Sequence, residues 1–302
     1  MIDLSAFADS IKSEYCEILI NSPMSRQTSF KVGGNADIIA FPKNKTALAD
    51  VISKCRCSNV PFFIMGNGSN LLVRDCGIKG VVIKTTAMDP ELTVNGDSIE
   101  CSAGTPLSKL CITALENSLT GLEFAYGIPG TVGGAVFMNA GAYGGEMKDV
   151  LISVTHIDKN GNIVEMKAEN LNLGYRKSFY SENTDNIIIS AKFRLADGDK
   201  TAIKSAMDDL MGRRKDKQPI EFPSAGSTFK RPEGHFAGAL IEQCGLKGYT
   251  IGGAQVSEKH AGFVINRFGG TASDVLELME HIKNTVKTET GVTLEPEVKI
   301  IP

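Results

Sequence analysis

Eight of the 25 residues from Gly121 to Gly145 are glycine. Glycine loses more conformational freedom on folding than any other residue. A cluster is therefore kept inside a folded chain only where backbone turns tightly or approaches another group closely. This cluster has no collagen-like period and sits in no Ser-rich linker. A second, shorter cluster, Gly66-Asn67-Gly68-Ser69-Asn70, follows the strand-like run Phe62–Met65. A Gly/Ser/Asn loop after a strand leaves several N–H groups able to point at an anion, and a pyrophosphate suits such a nest; an ordinary tight turn is the plain alternative.

The bulk of the chain limits what these clusters can serve. Hydrophobic residues make up 42% and charged residues 22%, enough for a packed core. The 32 Lys and Arg against 35 Asp and Glu leave no basic surplus for a nucleic-acid partner. No apolar run reaches the ~18 residues a membrane helix needs. The opening MIDLSAFADSIKSEYCEILI lacks a basic flank and a small-residue cleavage site, and predicts an amphipathic helix over residues 5–20 instead of an export signal. Seven cysteines without a CxxC pair predict reduced, mostly buried thiols in a cytoplasmic protein. The four histidines form neither HxH nor HExxH, so no metal site is expected. His156 and His281 are expected at surface or edge positions, and only His260 stands at a polar-to-apolar junction.

Along the chain, Ala36–Phe41, Phe62–Met65, Leu71–Val73 and Gly80–Lys84 predict strands, with a helix over Thr46–Lys54. Beyond Leu92 the pattern becomes mostly antiparallel. Val150–Asp158 and Gly161–Met166 flank Asn160-Gly161, a strong hairpin signal. Thr201–Lys215, Ala237–Gln243 and Ala272–Thr288 predict helices, with strands at Phe263–Asn266 and Glu297–Ile301. Three units are expected: residues 1–84, 85–199 and 200–302.

Within the long glycine tract, Gly127-Ile128-Pro129-Gly130-Thr131-Val132-Gly133-Gly134 superficially matches the GxGxxG fingerprint. A Rossmann loop needs a preceding parallel strand and an acidic residue about 20 positions on at a strand end, whereas Leu122–Tyr126 is a short, mixed run and the tract continues through Asn139, Gly141, Gly144 and Gly145. A glycine-rich segment packed on an extended ligand fits better, and a structural crossover is the plain alternative. Two such tracts in separate lobes suggest a dinucleotide, and the absence of GxxxxGK[ST] disfavours an ATPase. Ser227 in SAGSTFK has no nucleophile elbow and is either a turn serine or a proton donor. Tyr175-Arg176-Lys177-Ser178 could clamp a carboxylate, and the glutamates of Glu295-Pro296-Glu297 are otherwise surface charges.

In order, TSFKVGGNAD, MGNGSNLLV, GIPGTVGGAVFMNAGAYG, YRKS, AGSTFK, GLKGYTIGGAQVS and LEPEVKII resemble the UDP-N-acetylenolpyruvoylglucosamine reductase family, from about Thr28 to Ile301. The resemblance implies an α+β fold, in which a two-lobed FAD-binding unit of the vanillyl-alcohol-oxidase type precedes a C-terminal α/β substrate-binding domain. It looks like the shorter type, without an extra tyrosine-bearing loop. It implies noncovalent FAD held by Gly66, Asn67, Gly68, Ser69 and Asn70 and by Gly130, Thr131, Val132, Gly133 and Gly134. NADPH is implied as co-substrate, UDP-N-acetylglucosamine-enolpyruvate as substrate, and no obligate protein partner. Arg176, Ser227 and Glu297 match the family's catalytic arginine, proton-donating serine and catalytic glutamate. Arg214, Lys217, Lys247 and His260 stand as substrate-binding positions. Two departures are Phe179-Tyr180, where an aliphatic residue and Phe are usual, and Arg231, where many members have Asn.

The implied chemistry adds hydride to C3 of the vinyl ether and a proton to C2. Arg176 would bond the carboxylate as negative charge grows, and Ser227 would protonate C2. Glu297 would stabilise the enediolate-like species if it carries or shares a proton. Two other classes remain open from sequence: an FAD oxidase of the same fold, and a noncatalytic nucleotide-sugar binding protein. The oxidase usually needs a His or Cys near the pyrophosphate loop, and residues 61–73 contain neither.

Overall fold

The structure, a computed structural model, describes residues 3–301. The chain opens with α1 (Leu4–Ile11), β1 (Cys16–Pro23), β2 (Asn35–Pro42), α2 (Lys45–Cys57), β3 (Phe62–Met65), β4 (Leu71–Val73) and β5 (Ile78–Lys84). It continues through β6 (Thr93–Asn95), β7 (Ser98–Ser102), α3 (Leu107–Glu116), β8 (Leu119–Thr120), α4 (Val132–Phe137), β9 (Gly141–Ala142) and β10 (Gly145–Glu146). Next come β11 (Leu151–Ile157), β12 (Ile163–Lys167), α5 (Phe179–Glu182), β13 (Ile187–Arg194), β14 (Ala196–Asp197) and α6 (Lys200–Lys217). The last elements are α7 (Ala237–Gln243), β15 (Thr250–Ile251), β16 (Ala254–Val256), β17 (Val264–Asn266), α8 (Ala272–Thr290) and β18 (Lys299–Ile301). The described chain forms two compact units. One holds residues up to Ile20, Ile38–Asn67 and Gly80–Arg214, and the other Asn21–Asp37, Gly68–Lys79 and Lys215 onward.

The first unit has two cores. Around α2, Leu48, Val51, Ile52 and Cys55 recur at helical spacing and pack with Ile38, Val81 and Ile83. Asn44, two residues before the expected start at Thr46, caps α2 by accepting from Ala47 N–H at 2.8 Å. The second core lies under an antiparallel sheet of order β12-β11-β13-β7-β6, covered by α3 and α4. The hairpin expected at Asn160-Gly161 is present. Asp158 Oδ1 accepts from Asn160 N–H and Asn162 N–H, both at 2.8 Å, which closes the turn. Arg56 joins α2 to this region by donating to Asp158 O at 2.8 Å and Asp185 O at 2.7 Å.

Three expectations change. The helix over residues 5–20 stops at Ile11, and Cys16–Pro23 is strand. Its β-branched Ile18 and Ile20 suit a strand, and sheet pairing overrides the helical period. His156 lies inside, at 2% exposure, on β11 between β12 and β13. Its Nδ1 stands 3.0 Å from the Tyr180 hydroxyl, which is also buried. Burial pushes the His156 pKa down and the Tyr180 phenol up. The unusual Phe179-Tyr180 pair is thus accommodated by a polar partner no local pattern revealed. Finally, α6 belongs to the first unit as far as Arg214, because Ile203 and Met207 pack in the sheet core. The last stretch of the second unit begins at Lys215.

In the second unit, Val275, Leu278, Met279, Ile282 and Val286 make one buried stripe along α8. They pack with Leu72, Ile241, Val264 and Val298. Thr271 and Asp274 form a capping box at the start of α8, and Gly291, at φ 74°, ends it. β18 pairs parallel with β4, Ile300 opposite Leu72. Asp75, just past β4, accepts from Ala272 N–H and Ser273 N–H at 2.9 Å and from Ser273 Oγ at 2.7 Å. Partial burial raises the Asp75 pKa, but the bonds from Ser273 and Ala272 outweigh it and the net shift is downward.

A depressed folded-state pKa stabilises above the unfolded value of ~3.9 and is lost as pH falls through the folded value. Asp75→Ala is therefore expected to lower unfolding free energy by about 1 kcal/mol at pH 7, with solvent exposure keeping it small. The difference from the parent should shrink below about pH 4. Denaturant titrations at pH 7 and pH 3.5 measure both.

Candidate active site

The two glycine clusters meet at one contact in the first unit. Gly66 ends β3 and lies so close to Thr131 that a Cβ on it would stand 2.1 Å from Thr131 Oγ1. Asn67 Nδ2 donates to Pro129 O at 2.8 Å. Thr131 also caps α4, accepting from Gly134 N–H at 3.4 Å. Gly133 N–H donates to Ala103 O at 2.8 Å, and a Cβ on Gly133 would stand 2.9 Å from Ala103 Cβ. Val132 N–H donates to Thr105 O and Gly130 N–H to Ile128 O, both at 2.9 Å. The amides of Gly130, Val132, Gly133 and Gly134 are thus spent inside the chain, and glycine there permits close packing.

The short cluster is different. The N–H groups of Asn67, Gly68 and Ser69 have no acceptor among the described residues. In the second unit, Ser29 N–H donates to Gly68 O at 3.3 Å, and Ser29 Oγ to Ser224 O at 2.7 Å. The preceding Thr28 Oγ1 is buried without a hydrogen-bond partner. Consecutive orphan donors and a buried hydroxyl beside them fit the phosphates of a dinucleotide. The polar inventory therefore suits the FAD inferred above.

Arg176 sits in a two-residue turn closed by Gly174 N–H to Lys177 O at 3.0 Å and Lys177 N–H to Gly174 O at 3.1 Å. Its φ is 56°, a left-handed conformation that costs a non-glycine residue ~1 kcal/mol and persists where neighbours enforce it. The guanidinium donates to Gly141 O at 3.4 Å and lies 5.1 Å from the Tyr175 ring centre. Gly141 belongs to the hairpin of β9 and β10, whose turn residues Tyr143 and Gly144 both have positive φ. Arg214 lies in the same unit with its Cδ 3.1 Å from where a Gly127 Cβ would be. Burial pulls the Arg214 pKa down, as expected of a cation partly stripped of water.

In the second unit, Ser227 and Glu297 stand on laddered segments. Lys230 N–H donates to Glu295 O at 2.8 Å, Phe229 bridges Pro296, and Glu297 N–H donates to Thr228 O at 2.9 Å. On the other side, Thr228 N–H donates to Gly262 O and Thr228 Oγ1 accepts from Val264 N–H, both at 2.9 Å. Asn70, the last residue of the short cluster, donates to Glu297 O at 3.2 Å and accepts from Lys299 N–H at 2.9 Å. The backbone of Glu297 is therefore held from two directions. Ser227 is half-buried next to the pinned Thr228.

The remaining candidates are less closely grouped. His260 Nδ1 accepts from Gly262 N–H at 3.1 Å, which leaves the proton on Nε2. Burial lowers its pKa and keeps the ring neutral. Lys247 is held by Glu242 at 2.6 Å, and Lys217 is exposed at the end of α6. Arg231 stacks on Phe236, 3.9 Å from the ring centre. Among the described residues no three His, Cys, Asp or Glu side chains group as a metal site requires. Among the same described residues, no helix is long and apolar enough to cross a membrane.

Residues 36–167 match the model of an FAD binding domain. Residues 218–301 match that of the UDP-N-acetylenolpyruvoylglucosamine reductase C-terminal domain. Over 285 residues the chain is 52% identical to the UDP-N-acetylenolpyruvoylglucosamine reductase of Clostridium perfringens (strain SM101 / Type A), covering 94% of this chain and 93% of that one. The chain belongs to the UDP-N-acetylenolpyruvoylglucosamine reductase family. A Clostridium novyi (strain NT) reductase is 51% identical and covers 99% of this chain and 97% of its own length. The crystal structure of the Thermus caldophilus reductase superposes with a TM-score of 0.79 at 35% identity, covering 95% of this chain and 99% of that one. The α+β fold expected above is this reductase fold.

Two buried polar residues escaped notice in the sequence, although both lie in segments that carry the family resemblance. Thr28 stands in TSFKVGGNAD and Asn139 in GIPGTVGGAVFMNAGAYG. Neither residue type announces its burial.

Gly66→Ala should lower thermal stability by roughly 1–3 kcal/mol, because the added methyl enters the Thr131 hydroxyl. Calorimetry and the ratio of visible to protein absorbance measure stability and flavin retention. A fully flavinated variant of parental stability would show that the close approach is not required.

Proposed function

We propose that this chain is the NADPH-dependent flavoenzyme that reduces the enolpyruvyl ether of UDP-N-acetylglucosamine to UDP-N-acetylmuramate, a peptidoglycan precursor. One observation carries the reading furthest: Ser227 and Glu297 stand on laddered segments, with Asn70 of the short glycine cluster bonded to Glu297 O. Bound FAD supplies the two-electron chemistry that links NADPH to the vinyl carbon.

The protein's part is to hold the carboxylate and place the proton. Arg176 bonds the substrate carboxylate and stabilises negative charge as it develops there. Ser227 Oγ–H delivers the proton to C2, and the basicity of the developing carbanion makes a serine sufficient. Glu297 is assigned to stabilise the same charge with a carried or shared proton. Arg214, Lys217, Lys247 and His260 are assigned to the substrate, and a desolvated arginine such as Arg214 suits a diphosphate. For Lys247 this role requires exchange of its ion pair with Glu242.

Gly66–Asn70 and the Gly130–Gly134 segment are assigned to FAD, the first as amide donor and the second as a close-packed wall. The lobes at 1–84 and 85–199 are read as its two supports. The C-terminal unit supplies the substrate domain. Residues 61–73 offer neither His nor Cys, which supports noncovalent flavin. All seven cysteines are free thiols, in keeping with a reducing cytoplasm.

Purified protein should be yellow, with absorbance near 450 nm that NADPH bleaches, and acid precipitation should leave the colour in the supernatant. Ser227→Ala should keep bleaching at the parental rate, while reoxidation by the enolpyruvyl substrate slows by at least about 10³-fold. Parental turnover in Ser227→Ala would remove the proton-donor assignment. A colourless protein that binds only the nucleotide sugar would remove the reductase reading.

A further inference from the structure

The carboxamide of Asn139 is a buried polar group in the first unit with no assigned role. Asn139 is 0% exposed and has φ 44°. Its Nδ2 donates to Gly174 O at 3.0 Å and to Glu146 Oε2 at 2.9 Å, and its Oδ1 accepts from Lys148 N–H at 2.9 Å. Gly174 O is the carbonyl that also accepts Lys177 N–H and closes the turn bearing Arg176. Glu146 lies on β10, opposite Gly141, whose carbonyl accepts from Arg176 Nη2. One side chain thus ties together two supports of Arg176: the turn beneath its Cα and the hairpin at its guanidinium.

We propose that Asn139 is a positioning residue for Arg176. A left-handed φ alone would be met by Asn, Asp or Gly. The bonds ask for more: Nδ2 donates to Gly174 O and to Glu146 Oε2, beside the Lys177 N–H and Lys148 Nζ that these oxygens also meet, and of the three residue types only asparagine supplies those two donors. Aspartate has nearly the same shape and tolerates the same φ, yet it has no donor and sets a second carboxylate against Glu146. Removing the donors leaves Gly174 O short of one partner in a partly buried place and frees the turn to shift. An arginine displaced by about 1 Å binds the carboxylate in the wrong geometry, which can cost ~10²-fold in rate.

The inference rests on Arg176 serving the substrate carboxylate, and the test separates the two. In flavin-loaded Asn139→Asp, NADPH bleaching should stay within about twofold of parent. Reoxidation by the enolpyruvyl substrate should slow about 30- to 100-fold, mainly in kcat. In the double variant with Arg176→Ala, Asn139→Asp should add less than about twofold to the Arg176→Ala defect. Hydrogen exchange of the 172–178 peptide should speed by about tenfold, a readout that stands even if the protein is no reductase. Asn139→Gly keeps the left-handed backbone and should reproduce the same defects if the aspartate variant does not fold. Parental reoxidation in either folded variant, or full multiplicative effects in the double variant, would overturn the proposal. Parent protein that fails to oxidise its flavin with the substrate would instead count against the reductase reading.

Discussion

The close approach of Gly66 to Thr131 is the contact on which the first unit's glycine chemistry depends. Glycine at 66 lets the end of β3 lie against the Thr131 hydroxyl, and glycine at 133 lets α4 begin against Ala103. The surrounding amides then bond to Ala103, Thr105 and Ile128 carbonyls and not to a ligand. Glycine therefore does two different jobs in this chain. In the Gly130–Gly134 segment it removes bulk, whereas in Gly66–Asn70 it permits a loop whose amides find no protein acceptor. The second kind can receive phosphate oxygens; the first shapes a wall.

The candidate side chains rest on backbone that hydrogen bonds hold from more than one side. Glu297 is held through Thr228 and Asn70, and the turn of Arg176 through its own bridge and Asn139. Such anchoring suits a reaction in which charge develops on a carboxylate and a weak acid supplies a proton. Neither the charge stabilisation nor the proton transfer tolerates loose geometry. The second unit gains rigidity from the α8 stripe and from the Asp75 bonds at the start of that helix. These features place the energetic cost of ordering on the scaffold before any ligand arrives.

Local patterns revealed much of this. The stripe of α8, the hairpin around Asn160-Gly161 and the strands Phe62–Met65 and Leu71–Val73 follow from periodicity and turn chemistry alone. The ordered series of family segments marked Arg176, Ser227 and Glu297 as candidates. Other features depended on distant partners. The stretch Cys16–Pro23 is apolar enough for helix or strand, and sheet pairing decided it. His156 reads as an edge residue until Tyr180 is brought to its ring. Asn139 looks like a turn former, and only its three bonds show a buried connector.

Where the chain must turn, which faces are apolar, and which rare residues sit in the family's order are legible from the amino-acid string alone, because these depend on neighbours within a few positions. Which glycine amides are bonded within the protein and which find no protein acceptor emerges from the folded chain. The tertiary structure also decided that α6 packs with the first unit as far as Arg214. The physical reason is the same in each case. Hydrogen-bond satisfaction and side-chain packing are properties of pairs, and the partners here lie tens to hundreds of residues apart along the chain.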